Sequence, residues 1–231
     1  MATSGTTSFK LNVSQLIEDA YDLIGGEQQL GRDPVVARRA LNMLFIELSN
    51  RGFPLWTLEL DSFTVTQGTA TYTLDTDAMD VLEITCRRDS QDITLNSIAY
   101  EEWLAIPNKS TQGRPTQYLV QRDQGSTSLR LWPVPENSTD VILFWKIRYI
   151  QDAGSPTDDP DINRRFIPAM AYGLGYWLGM RRQVPADTDP KMLAVFEKKV
   201  ANLKDKFEES LAYAVAEDRS RVDLSIIPRL R

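Results

Sequence analysis

The chain has 231 residues, of which 42% are hydrophobic and 25% are charged, and its formal net charge is −6. These values are close to the averages of globular proteins, so they exclude wholesale disorder and allow one large domain or two small ones. The chain contains no histidine, which excludes Ser-His-Asp and Cys-His catalysis and removes the commonest general base and metal ligand. Because Cys86 is the only cysteine, an internal disulfide is excluded too.

The charge is distributed unevenly along the chain. Residues 1–218 carry 22 basic and 31 acidic side chains, whereas residues 219–231 carry four basic and one acidic. An acidic body argues against tight binding of duplex DNA, which depends on Lys and Arg that neutralise phosphates. The longest uncharged apolar run, residues 166–180, is shorter than the roughly 20 residues that cross a bilayer. No membrane segment is predicted.

The first 57 residues predict a pair of helices. Asn12 is a suitable N-cap for a helix over residues 13–24. A second helix is predicted to start at Pro34, with Asp33 as its N-cap, and to end at Gly52. We expect this second helix to bury a broad apolar face formed by Val35, Ala37, Leu41, Leu44, Phe45 and Leu48.

From about residue 62 the hydrophobic period changes to two, which is typical of strands. Two runs separated by Gly68, residues 63–66 and 71–74, predict a hairpin. Further strands are predicted at residues 81–87, 117–122, 128–132 and 141–150, and a short helix at residues 97–106. The last strand has one wholly apolar face, made of Val141, Leu143, Trp145, Ile147 and Tyr149. We therefore expect it near the centre of a sheet, with one face against a core.

The polar loop at residues 152–161 returns the chain to helix. A third helix is predicted from Pro160 to about Arg182, with Pro168 near its first turns or at a kink. Its glycines Gly173, Gly175 and Gly179 permit the close approach of another helix, either within the subunit or between subunits.

A fourth helix is predicted from Pro190 to about Glu217. Its apolar stripe consists of Met192, Phe196, Val200, Leu203, Phe207 and Leu211.

These elements predict an α+β fold. The helix pairs at the two ends form one bundle, because none of the four helices can bury its apolar face alone. An antiparallel β-rich domain is inserted between the pairs, and an extended tail follows them. The predicted parts are residues 1–57 and 151–218 for the bundle, 58–150 for the insert and 219–231 for the tail.

No cluster of polar residues predicts a catalytic residue, a metal site or a cofactor. The acidic residues Asp75, Asp77 and Asp80 lack the glycine and the closing glutamate of a calcium loop, so a turn is favoured. Asp158 and its acidic neighbours fit the roles of loop and capping residues.

The β segment contains four large aromatic residues, Trp103, Tyr118, Trp132 and Trp145. Interleaved with Lys and Arg, such residues form stacking platforms for single-stranded nucleic acid. Residues 58–150, however, carry 8 basic and 13 acidic side chains. Core packing or a subunit contact is therefore the favoured interpretation.

The C-terminal tail combines aliphatic and basic residues. A mobile terminus is one interpretation; docking of an extended segment on a partner is favoured, because five of nine residues between 222 and 230 are aliphatic. The predicted docking residues are Arg219, Arg221, Val222, Leu224, Ile226, Ile227, Arg229, Leu230 and Arg231.

Two stretches carry a resemblance to a known family: EEWLAIPNKSTQGRPTQYLVQRDQGSTSLRLWPVPENSTDVILFWKIRYI (101–150) and DINRRFIPAMAYGLGYWLGMRR (161–182). They resemble head-to-tail adaptor proteins of short-tailed phages, a group related to the tail tubular protein A family. In organisation the resemblance extends over most of the chain.

The resemblance implies a structural virion protein of the phage neck, without catalytic residues or cofactors, that is assembled in the host cytoplasm. It implies a homo-oligomeric ring, usually of twelve subunits, between the portal protein and the tail nozzle. DNA would pass through the channel of this ring, and the C-terminal tail would dock into the portal.

Other functions stay open from the sequence. One is a nucleic-acid-binding accessory virion protein, and another is a carbohydrate- or receptor-binding one, each acting through the aromatic β domain. A hydrolase that uses carboxylates is the least favoured.

Overall fold

The computed structural model of the chain describes residues 9–25, 32–52, 55–182 and 189–219. In this part of the chain the five helices are Val13–Ile24 (α1), Arg32–Arg51 (α2), Tyr100–Ala105 (α3), Ile167–Arg181 (α4) and Pro190–Arg219 (α5). The strands are Leu58–Thr64 (β1), Thr71–Thr73 (β2), Ala78–Arg88 (β3), Gln91–Thr94 (β4), Asn96–Ser97 (β5), Gln112–Gly113 (β6), Gln117–Asp123 (β7), Ser126–Trp132 (β8), Val134–Pro135 (β9) and Val141–Arg148 (β10). Helices at both ends flank a β-rich middle, which confirms the predicted α+β class.

Contacts divide the described residues into two units. The helical unit contains residues 9–25, 32–52, 150–182 and 189–219, and the β unit contains residues 55–149. The chain therefore leaves the helical unit once and returns to it once.

Helix α1 begins and ends where the sequence predicts. The Asn12 side chain accepts a hydrogen bond from the backbone N–H of Gln15 (2.8 Å), and the Gln15 side chain accepts one from the Asn12 N–H (3.1 Å), forming a capping box. Gly25 ends the helix with a φ of 75°, in the left-handed region that favours glycine.

Helix α2 begins at Arg32, so Asp33, the predicted N-cap, is its second residue instead. The buried face is made of Ala37, Ala40, Leu41, Leu44, Phe45 and Leu48. Val35 was predicted to belong to this face, but it is 50% exposed. The prediction fails at Val35 because α2 carries apolar residues on two opposite sides, and only one side packs inward.

The sequence predicted a helix that begins at Pro160, but α4 begins at Ile167. The preceding loop makes other hydrogen bonds: the carbonyls of Asp158 and Pro156 accept the N–H groups of Val13 and Ser14 in the first turn of α1. These bonds tie the loop to α1. Helical structure begins only after Asn163, whose side chain accepts the N–H of Arg165 and caps the 3-10 turn Arg164–Phe166 that leads into α4. Pro168 lies in the first turn of α4, as expected.

Helix α4 contacts α1, α2 and α5, and its apolar residues are spread over all its sides. Its glycines allow these approaches: a Cβ on Gly173 would lie 2.9 Å from the ring of Phe207, and one on Gly179 would lie 2.7 Å from Val200. The glycines thus serve packing within the subunit. Among the described residues, no helix has the combined length and apolarity needed to cross a membrane.

Helix α5 packs mainly through its C-terminal part. Leu203, Phe207 and Leu211 of the predicted stripe are buried, as expected. Met192, at the other end of the stripe, is 67% exposed.

The β unit is built from two four-stranded sheets, with strand orders β1-β10-β3-β4 and β2-β8-β7-β5, and a small β6-β9 pair. Most neighbours are antiparallel; β5-β7 and β6-β9 are parallel. Both four-stranded sheets contribute to one apolar core, which includes Ile84, Leu129, Leu131, Ile142 and Phe144. The sheets therefore pack face to face.

The predicted hairpin at residues 63–66 and 71–74 is wrong. Strand β1 pairs with β10, whereas β2 pairs with β8 in the other sheet. The chain changes sheets at this turn, and the rings of Phe63 and Tyr72 stack with centroids 4.7 Å apart. The two segments therefore contact each other through side chains and do not pair through backbone hydrogen bonds.

Strand β10 is central, between β1 and β3, as predicted. Its face toward the core is the mixed one: Ile142, Phe144 and Lys146 are buried, whereas Trp145 is 40% and Tyr149 is 48% exposed. The wholly apolar face of this strand points away from the sandwich core.

The close contact at Gly173 gives a test of the bundle. The change Gly173→Ala forces a methyl group against the buried side chains of Phe207 and Leu44, and we expect it to lower the free energy of unfolding by about 1–3 kcal/mol. The change can be measured by urea denaturation followed by far-UV circular dichroism.

Gly175→Ala is the matched control, because its Cβ would lie 3.4 Å from Leu203. It is expected to be neutral or to stabilise by up to about 1 kcal/mol through higher helix propensity. Equal effects of the two substitutions would contradict the packing argument.

Candidate interaction surfaces

The most buried ion pair of the β unit joins Arg88 and Asp140. The Arg88 guanidinium donates to both oxygens of Asp140, at 2.8 and 2.7 Å, and to Glu136 at 2.8 Å. The Asp140 side chain is 0% exposed. These hydrogen bonds from Arg88 lower the pKa of Asp140, against the opposing effect of burial. The group fixes β3 to the segment before β10, which is a structural role.

Lys146 is buried beside three carboxylates. Its Nζ lies 3.1 Å from Asp61, 3.4 Å from Asp75 and 3.5 Å from Asp77. Burial acts to lower the pKa of Lys146, but the three carboxylates together raise it above the ordinary value. The ammonium group can therefore stay charged on the core side of β10, and this allows the mixed face to be the buried one.

The remaining acidic residues singled out in the sequence also form structural contacts. Asp80 pairs with Arg122. Asp158 accepts the N–H of Ser155 at 2.7 Å. Among the described residues, no three His, Cys, Asp or Glu side chains are grouped so that they could hold a metal ion.

The aromatic residues of the β unit do not form one exposed platform. Trp103 and Tyr118 are buried, at 7% and 4% exposure. The indole N–H of Trp132 donates to the carbonyl of Asn108 at 3.1 Å. Only Trp145 of the four belongs to the group of exposed large apolar residues. Core packing therefore accounts for Trp103 and Tyr118.

One exposed apolar area of the β unit is the outer sheet face, the side of the β1-β10 pair that points away from the core. It consists of Leu58, Leu60, Val141, Leu143, Trp145 and Ile147. Cross-strand register brings these residues together, since Leu58 pairs with Ile147 and Leu60 pairs with Trp145. Leu60 is 57% exposed. An apolar patch of this kind marks an interaction site more often than a solvated surface.

A second exposed apolar area is the α2 stripe, which consists of Val35, Arg39, Met43 and Ile46. Helical residues are about 100° apart, so these positions fall within about 80° of one another. Val35 is 50%, Met43 39% and Ile46 55% exposed. This stripe was not predicted from the sequence, although a spacing of 4, 4 and 3 residues is a signal of one helical face.

The helical unit contains a small cavity lined in part by Lys10, Leu11, Asp159, Ile162 and Ile167. Its volume of about 240 Å³ is below the roughly 300–1,000 Å³ of typical small-molecule sites. Lys10 and Asp159 at its rim form an ion pair at 2.9 Å. The cavity adjoins the junction between the loop and the start of α1.

The predicted docking tail falls outside the described residues. Of its members, Arg219 is the last residue of α5, and residues 220–231 lie beyond the described range. Docking by this tail stays a prediction.

A helical bundle that carries an inserted β sandwich and exposes two apolar faces has the features of a structural assembly protein. The chain matches the SU10 adaptor protein family over residues 11–228, and it belongs to that family. It is therefore a structural adaptor of phage virions, a head–tail connector of the virion neck that contacts portal and tail components in an oligomeric assembly. The resemblance to head-to-tail adaptors is thereby confirmed. No curated protein matches the chain in sequence.

The Arg88–Asp140 pair gives a test with a defined pH dependence. The folded-state pKa of Asp140 is below that of the unfolded chain, about 3.9, so its carboxylate stabilises the fold above that value. This contribution is lost as the pH falls through the folded-state pKa. We expect Asp140→Asn to lower the free energy of unfolding at neutral pH by about 2–3 kcal/mol. The acid-induced loss of stability should also become shallower.

Urea denaturation followed by tryptophan fluorescence measures both effects, because Trp56, Trp103, Trp132 and Trp145 all lie in the β unit. Asp92→Asn is the control: the Asp92 side chain is 41% exposed in its pair with Arg87, and such solvent-screened surface pairs contribute little to stability. A response of Asp92→Asn as large as that of Asp140→Asn would contradict the assignment.

Proposed function

We propose that identical copies of this chain form a ring of twelve subunits between the portal and the tail nozzle, and that the genome passes through its channel without specific binding. The observation that carries the proposal is membership of an adaptor family over residues 11–228. The acidic balance of residues 1–218, with 22 basic and 31 acidic side chains, supports it. Negative charge repels DNA phosphates, so the genome slides instead of adhering.

In this proposal the parts of the chain have separate tasks. Residues 1–57 and 151–218 form the bundle that shapes the ring, and residues 58–150 form an inserted domain that adds contact surface. Residues 219–231 form the docking segment. We propose no catalytic role, and we propose that the chain folds and assembles in the host cytoplasm.

The docking segment is assigned to the portal. After Arg219 the chain has twelve more residues, which can reach about 40 Å when extended. Four arginines in residues 219–231 suit an acidic portal surface, since guanidinium groups bind carboxylates in a bidentate manner. The aliphatic residues, such as Ile226 and Ile227, suit apolar pockets that an extended segment can fill.

Binding of nucleic acid or a receptor through the aromatic β domain is less well supported. That function requires exposed rings, whereas Trp103 and Tyr118 are buried in the β unit. Trp145 is 40% exposed, but the residue opposite it on β1 is Leu60, and no second exposed tryptophan lies among the described residues of the β unit.

Removal of residues 219–231 tests the docking role. We expect the truncated chain to keep its circular dichroism spectrum and thermal stability, because the packed part of α5 ends before this segment. Binding to purified portal, measured by co-sedimentation, should be lost. A chain with Gly-Ser residues in place of 219–231 controls for length, and undiminished portal binding by the truncated chain would contradict the docking role.

Electron microscopy of the chain mixed with its portal tests the ring. Class averages viewed along the axis should show twelve densities around an open channel. A different number of densities would revise the stoichiometry. Failure to form any ring, with or without the portal, would overturn the proposed function.

A further inference from the structure

Each unit of this protein exposes an apolar face that contains a single charged residue without an ion-pair partner. On the outer sheet face that residue is Glu83, and on the α2 stripe it is Arg39. Both side chains are exposed, and among the described residues neither takes part in an ion pair. The two faces therefore carry opposite charges within apolar surroundings.

The position of Glu83 follows from the sheet register. A β-bulge in β3 places two residues, Leu82 and Glu83, opposite the single residue Trp145 of β10. Glu83 is therefore a neighbour of Trp145 in the sheet register. A β-bulge changes the direction of the side chains on its strand, and bulges are often found at functional positions.

The position of Arg39 follows from helical spacing. It lies four residues after Val35 and four before Met43, on the side of α2 opposite the buried face. Elsewhere on the same helix, Arg51 forms an ion pair with Glu47, four residues earlier. At these two positions Arg39 has apolar neighbours, and the Arg181 guanidinium at the end of α4 contacts Met43 Sδ at 3.0 Å, which adds a second positive charge beside the stripe.

We propose that the α2 stripe of one copy packs against the outer sheet face of the next copy, with Arg39 paired to Glu83 across the contact. This inference rests on the proposed ring. A closed ring of identical subunits needs two different, complementary faces on each copy. The two faces match in chemistry: each has an apolar centre and one charged residue without an ion-pair partner, and these two charges are opposite in sign. The other charged residues of the sheet face, Arg87 and Asp80, are already paired with Asp92 and Arg122.

The contact is heterologous, so it differs from a symmetric dimer contact. A sheet face that met a second sheet face would bring two Glu83 carboxylates together, and two α2 stripes would bring two Arg39 side chains together. Like charges juxtaposed in an apolar contact are unfavourable. Pairing of the sheet face with the helix stripe avoids both conflicts.

Chemical cross-linking tests the contact directly. A chain with both Arg39→Cys and Glu83→Cys is assembled with or without the portal and treated with a short bismaleimide. We expect a ladder of dimers, trimers and larger species on a denaturing gel. Each single variant and the wild-type chain should give none; the wild-type chain has only Cys86, which is buried.

Charge reversal provides the second measurement. Arg39→Glu and Glu83→Arg should each weaken association about tenfold or more, and the double reversal should restore it to within about threefold of wild type. Both positions are exposed, so the variants should keep the wild-type circular dichroism spectrum.

The other outcomes separate the two proposals. Cross-linking of the Glu83→Cys chain by itself would show sheet faces meeting each other and would overturn the inference. Rings that give no ladder would overturn it as well, while the ring itself would stand; the outer sheet face would then be free for a portal or tail component. Absence of any ring would remove the proposed function and this contact together.

Discussion

Helix α4 has apolar residues on every side, and a helix without a polar face must be enclosed by others. This requirement determines the helical unit. The helices that enclose α4 come from both ends of the chain, α1 and α2 before the β unit and α5 after it. Close approach depends on the missing side chains of Gly173 and Gly179. The bundle is therefore a single structure made by two distant parts of the sequence.

The sequence predicted most of the helical unit, because its signals are local. Asn12 and Gly25 bound α1 through capping chemistry, and that chemistry depends only on nearby backbone groups. The start of α4 was mispredicted at Pro160, since proline is compatible with a helix start but does not require one. Helical structure begins after Asn163, whose side chain accepts the N–H of Arg165 and caps the 3-10 turn that leads into α4. The carbonyls of the loop before it accept N–H groups of α1, almost 150 residues earlier, and no local pattern reveals these long-range bonds.

In the β unit the strands were predictable, but their partners and faces were not. Alternation identifies a strand and tells nothing of the sheet to which it belongs, so the segments around Phe63 and Tyr72 were wrongly paired. For β10, the buried side is the mixed one, although the other side is wholly apolar. The carboxylates that neutralise Lys146 lie at distant sequence positions, on the segment around Asp61 and on the loop around Asp75. The predicted docking residues of the tail lie outside the described part of the chain, so their role stays a prediction.

The discontinuity of the helical unit has a consequence for how the chain is made. During translation, residues 55–149 leave the ribosome with all their sheet partners already present. The bundle has to wait for α4 and α5, because α1 and α2 have nothing to enclose until then. Domains generally fold as units while synthesis proceeds from the N-terminus. The middle of this protein can therefore mature before its two ends meet, and the nascent chain exposes the apolar sides of α1 and α2 throughout that interval.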